Sequence, residues 1–213
     1  MARYLTELIG TFFLVFAIGT TAVAELSHAP IVVGCTLTVL VYLGGRISGA
    51  HYNPAVSIAI FLRGSLEKSC LLPYIGVQLL GAWLAATAVF MISGSTFALA
   101  PNTDYGLLTT FLSEALVTFV LVLVILNVAP SPATQGNSYY GVAIGFTVLA
   151  GMYAVGPISG GAFNPAVGFG PIVVDTFAGR GSFENLWYYI LGPLAGSLLA
   201  LPIFRMQLSA EPD

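Results

Sequence analysis

Charge is what this chain most lacks. Only 7% of its residues are Asp, Glu, Lys or Arg, six basic against nine acidic, spread along the whole length. No basic patch exists to meet a phosphate backbone, so nucleic acid is excluded as a partner. Cysteine and histidine are scarce as well, two of each. Cys35 and Cys70 are far from any metal-ligand spacing and read as free thiols. No metal and no cofactor is expected, and no nucleophile, base and orienting group are gathered in the way an enzyme needs.

What is present in excess is apolar surface. Hydrophobic residues make up 57% of the 213, in runs too long for a soluble core. Six runs stand out: Tyr4–Ala24, Ile31–Gly45, Leu72–Ile92, Leu108–Val128, Tyr139–Gly156 and Leu186–Phe204. Each approaches the roughly 20 residues that a helix needs to cross a bilayer. The first is too long for a secretory h-region and lacks a small-residue cleavage site, so it counts as a retained span. The expectation is an all-α membrane protein, a single domain over residues 1–213 with the lipid bilayer as its solvent.

Two shorter apolar pieces, Pro54–Leu62 and Pro165–Val174, each open on Asn-Pro. At 1.5 Å per residue they reach about 14 Å, half of a hydrocarbon core about 30 Å thick. Asn53 and Asn164 stand where an N-cap belongs, with Pro54 and Pro165 at the first helical position, where a missing N–H costs nothing. The loops before them are near copies: SGAHYNPAV from Ser48 and SGGAFNPAV from Ser159, six of nine positions identical at an offset of 111. TELIGTF from Thr6 and SEALVTF from Ser113 repeat at an offset of 107. Each half (about 1–100 and 101–213) therefore holds three spans and one half-helix. Three is odd, so the second half enters the membrane upside down, an inverted repeat.

Positive charge orients the chain. Arg3, Arg46, Arg63, Lys68 and Arg205 fall on the side of the termini in this six-span plan and only Arg180 on the other. Both termini are thus expected in the cytoplasm.

Irregular backbone at membrane depth is tolerated only inside protein or along a wet cavity. Two half-helices entering from opposite faces bring two positive dipole ends, each worth about half a charge, to one place. Cations and protons are disfavoured there. The amides of Asn53 and Asn164 can donate to a passing oxygen, and the extended backbone of Gly49, Ala50, His51 and of Gly160, Gly161, Ala162 can present carbonyls. Such a path suits water and small neutral solutes.

On the two Asn-Pro-Ala signatures, Asn53–Ala55 and Asn164–Ala166, the paired Glu-bearing spans and the six-plus-two plan, the chain resembles the aquaporin (major intrinsic protein) family over nearly its whole length. The resemblance implies passive, bidirectional transport through one pore per subunit of a homotetramer in the cell membrane. It also directs attention to a departure. Aquaporins usually carry an arginine three residues after the second signature Asn, and here that position is Val167. The remaining constriction positions transfer to Val33, Met152 and Gly161. Such a mouth has no fixed charge and no aromatic wall: a wider opening would admit less polar solutes, whereas an apolar ring closed by Met152 would impede water by dewetting. The glycerol-facilitator branch usually places Asp after that arginine, where this chain has Gly168.

Glu7 and Glu114 lie inside spans, where a carboxylate marks either a proton relay or, as their symmetric placement and the resemblance favour, an acceptor bracing the re-entrant loops. His51 reads as a pH sensor or as a packed ring whose carbonyl lines the path. Trp83, Trp187, Tyr188 and Tyr189 read as interfacial anchors, and Ser131, Thr134 and Ser138 as a polar turn open to phosphorylation. Two other classes remain: a coupled secondary transporter, which also uses broken helices in inverted repeats, and a closed-pore packing or junction protein.

Overall fold

The computed structural model describes residues 1–128 and 136–209; Ser131 and Thr134 lie outside the described residues. Among these residues the chain is helical: α1 Ala2–Val23, α2 Ala29–Gly44, α3 Pro54–Leu62, α4 Lys68–Ser93, α5 Leu107–Val128, α6 Tyr140–Ser159, α7 Pro165–Phe177 and α8 Leu186–Ser209. Five of them (α1, α4, α5, α6 and α8) are long and apolar enough to cross a membrane. The sixth crossing, α2, has 16 residues and rises about 24 Å, its start fixed by Pro30 in the first turn.

Helix ends follow local chemistry, and four depart from the apolar runs by three residues or more, α8 running on to Ser209 past Phe204. α6 continues past Gly156 and through Pro157 to Ser159, where Gly160 at φ 90° ends it. Its last carbonyls find donors on the α4–α5 connection: Asn102 N–H donates to Ile158 O at 3.0 Å and Asn102 Nδ2 to Pro157 O at 3.3 Å. α7 runs to Phe177 rather than Val174, and near its end Asp175 accepts from Thr96 Oγ1, tying it to the segment after α4. α4 begins at Lys68, four residues before the apolar run.

The packing pairs reflect the repeat. α1 lies on α4 and α5 on α8, α2 crosses α6 where the halves join, and each half-helix is held by both halves: α3 by α4 and α8, α7 by α8 and α4. Small residues set these crossings. A Cβ on Gly81 would stand 2.6 Å from Leu8 O of α1, and one on Gly192 2.7 Å from the Glu114 Cβ of α5, so no larger residue fits without moving a helix. Several hydroxyls inside the bundle donate within their own helix, as Thr11 does to Glu7 O and Thr118 to Glu114 O, whereas Thr110 Oγ1 in α5 has no partner among the described residues.

Candidate functional site

The two half-helices meet at their N-termini inside the bundle. Asn53 and Asn164 sit in extended backbone at the N-caps, and each Oδ1 accepts from the N–H two residues on, Ala55 and Ala166, both at 2.9 Å. Their amide nitrogens cross between the halves: Asn53 Nδ2 donates to Phe163 O and Asn164 Nδ2 to Tyr52 O, both at 2.9 Å. An amide nitrogen carries two protons. One is used in the loop-to-loop bond and one is left on each asparagine for another acceptor.

The loops behind the caps are strained in the same places. Gly49, Ala50 and Tyr52 have positive φ, as do Gly160, Gly161 and Phe163 at the equivalent positions. Left-handed backbone costs a non-glycine residue about 1–2 kcal/mol, and four N–H groups of these loops, Tyr52 and Phe163 among them, donate to carboxylates that hold the loops in shape. Glu7 accepts from Ser48 Oγ at 2.6 Å, His51 N at 3.0 Å, Tyr52 N at 2.7 Å and Gln78 Nε2 at 2.8 Å. Glu114 accepts from Ser159 Oγ at 2.7 Å, Ala162 N at 3.0 Å and Phe163 N at 2.7 Å. Both carboxylates are fully buried.

A narrow cavity of about 30 Å³ runs beside the paired caps. Its wall holds Asn53, Asn164, Ala50, His51, Gly161, Ala162 and all four mouth positions, Val33, Met152, Gly161 and Val167. Gly49 lies instead on a wider space of about 650 Å³ on the side of the termini. Gly160 lines neither, and Pro54, Ala55, Pro165 and Ala166 are buried behind the caps. The two spaces share Ala50, His51, Val56, Ile125 and Ile144 as wall residues, so they lie against one another.

Several contributors carry no motif. Most of the rest of the cavity wall is aliphatic, with Leu14, Ile18, Leu37, Leu121 and Val148 among its residues beside Tyr52 and Phe163; the aliphatic contribution is a face of a helix, not a signature. Tyr74 and Tyr189 donate to Ser48 O at 2.8 Å and Ser159 O at 2.6 Å, fixing the starts of the two loops. Tyr189 is therefore no interfacial anchor: it is wholly buried. The matching Tyr at an offset of 115 was the available signal. Gly168 packs against Tyr189, so a side chain at 168 has no room.

The chain's relatives agree with this architecture. The family described as "Major intrinsic protein" matches residues 1–204. The glycerol uptake facilitator protein-like 6 of Lactiplantibacillus plantarum is 37% identical over 211 residues, covering 94% of this chain and 95% of that protein. Nodulin-26 of Glycine max is 33% identical over 216 residues, covering 97% and 78%. The crystal structure of the aquaglyceroporin from Plasmodium falciparum superimposes with a TM-score of 0.84 at 23% identity, covering 96% of this chain and 98% of that one, a likeness of fold. The chain thus belongs to the major intrinsic protein family, multi-pass membrane channels that pass water or small solutes passively and are not enzymes.

Proposed function

We propose that the cavity beside Asn53 and Asn164 is the conducting path, and that it passes small uncharged solutes with a carbon skeleton as well as water. The observation that carries this reading is the wall of the cavity, where two amide donors and the backbone of Ala50, His51, Gly161 and Ala162 interrupt a mostly apolar surface. A solute with hydroxyl or carbonyl oxygens finds amide donors at the asparagines and mostly apolar contact elsewhere. Ions lose their hydration at a place where two helix N-termini and two amides offer positive potential and no carboxylate lines the wall.

Val33, Met152, Gly161 and Val167 form the selectivity constriction in this reading. Val33 and Val167 are 1% and 2% exposed, and no charged group borders the same cavity. The name of the glycerol uptake facilitator-like relative agrees with a polyol-sized solute. Both termini are cytoplasmic, the membrane is the plasma membrane, and four copies assemble with one path each; the arginines gathered at the terminal side support the orientation.

Stopped-flow light scattering on proteoliposomes, with water, glycerol, urea and peroxide in parallel, tests the assignment. Val167→Arg places a guanidinium in the constriction and is expected to lower glycerol and urea permeability about tenfold, a barrier change of about 1.4 kcal/mol, with a smaller effect on water. Unchanged solute ratios would remove Val167 from the constriction. Wild-type vesicles no leakier than empty ones would favour the closed packing protein.

A further inference from the structure

The wide space on the side of the termini has features that conduction of neutral solutes does not require. Arg3, Arg46 and Arg63 all border it, brought there from the start of α1, the α2–α3 turn and the end of α3. Glu67 is the one carboxylate on that wall, and among the described residues it makes no ion pair with any of the three arginines. Arg3 lies over the Tyr4 ring at 5.6 Å and Arg63 over the Phe204 ring at 4.8 Å, contacts that orient a guanidinium without neutralising it. The positive-inside rule asks only for positive charge on one side of the membrane. It does not ask that three of five basic residues converge on one opening, nor that those three be arginine.

A fourth donor stands at the floor. Glu7 offers only acceptors, so the Gln78 amide must turn its nitrogen there, and the second proton of Nε2 goes to Ser57 Oγ at 2.9 Å. Ser57 Oγ lies 3.1 Å from His51 Nδ1. With the hydroxyl donating to Nδ1, the remaining proton of a neutral His51 is on Nε2. That atom faces Gly49, where a Cβ would lie 3.0 Å from it. The second half has no such chain, since Ala162 and Gly168 occupy the positions of His51 and Ser57.

We propose that this vestibule is an anion site for a phosphate or phosphate monoester, held by the guanidiniums of Arg3, Arg46 and Arg63 with His51 Nε2–H beneath, and that its occupant obstructs the lumen. Forked guanidinium donors suit a tetrahedral oxyanion, whose charge three unpaired arginines offset better than that of a monocarboxylate. The wall residues shared with the lumen, His51 among them, put a bound anion across the inner neck. The blocking half of the proposal rests on the conducting path proposed above; the binding half does not.

Two measurements test it. Purified wild-type protein is expected to broaden the 31P resonance of inorganic phosphate, and the double variant Arg46→Gln, Arg63→Gln to leave it sharp; equal spectra would overturn the site whether or not the lumen conducts. In zwitterionic vesicles, phosphate on both faces is expected to lower solute permeability several-fold relative to chloride at matched ionic strength. The double variant is expected to conduct at the wild-type rate and to resist phosphate. Vesicles carrying a phosphomonoester lipid without free phosphate distinguish a headgroup from a soluble ligand. Flux indifferent to both sources would overturn the block, whereas wild-type protein with no flux in chloride would instead count against the conducting path.

Discussion

Glu114→Ala is expected to give a chain that cannot be recovered folded, or that melts far below wild type in detergent. The carboxylate receives Ser159 Oγ, Ala162 N–H and Phe163 N–H, and a methyl group receives none of them. Each buried donor left without a partner costs about 1–3 kcal/mol, so three consume much of a stability that for most folded chains is only about 5–15 kcal/mol. Water cannot enter to repair the loss, because Glu114 is fully buried in the bundle. The loop also stores strain at Phe163, a non-glycine residue with positive φ, that these bonds offset. Glu114→Gln is expected to fall between, since its carbonyl still accepts while its NH2 meets a donor. Thermal scanning with size-exclusion profiles checks the order wild type, Gln, Ala. An alanine variant with the wild-type melting temperature would show that the loop keeps its shape without the carboxylate, and a proton-relay reading of the pair would return.

The pair Glu7 and Glu114 shows how far the sequence could be read. Their offset of 107 and that of the Asn-Pro loops at 111 are long-range relations visible in one dimension, because the fold was duplicated and duplication leaves copies. The spans were equally legible, since a bilayer imposes a length and a composition that few other structures share. Other features depend on one partner each and leave no repeat. The extension of α6 through Pro157 depends on Asn102, more than fifty residues away, supplying donors to the final carbonyls. The chain Gln78–Ser57–His51 exists only on one side of the pseudo-symmetry, so nothing in the second half announces it. Tyr189 looked like an anchor because it follows Trp187 and Tyr188 at the start of a span. Its ring turns inward because Gly168 leaves the space for it and Ser159 O the acceptor. In each case an aromatic or amide side chain is ambiguous by type, and its neighbours decide.

Gly145→Ala is expected to destabilise the protein, whereas Gly156→Ala, on the same helix, is expected to be neutral or to gain up to about 1 kcal/mol from helix propensity. The difference is one of surroundings. A Cβ on Gly145 would collide with Thr38 Oγ1 and Gly34 O of α2, while one on Gly156 meets nothing within 4 Å. Thr38 can rotate, but a backbone carbonyl cannot, so α2 and α6 must separate; forced overpacking of this kind costs about 1–3 kcal/mol. The reverse contact is as tight, with a Cβ on Gly34 placed 2.6 Å from Leu149 Cβ and 2.8 Å from Gly145 O. The same crossing carries Val33 on α2 and Met152 on α6, two of the four residues proposed for the constriction. A wedge at Gly145 should therefore alter selectivity along with stability. Melting temperature and the ratio of glycerol to water permeability, measured on both variants, separate these effects: a Gly145→Ala protein that melts lower yet keeps the wild-type ratio would mean that selectivity is set by Gly161 and Val167 alone.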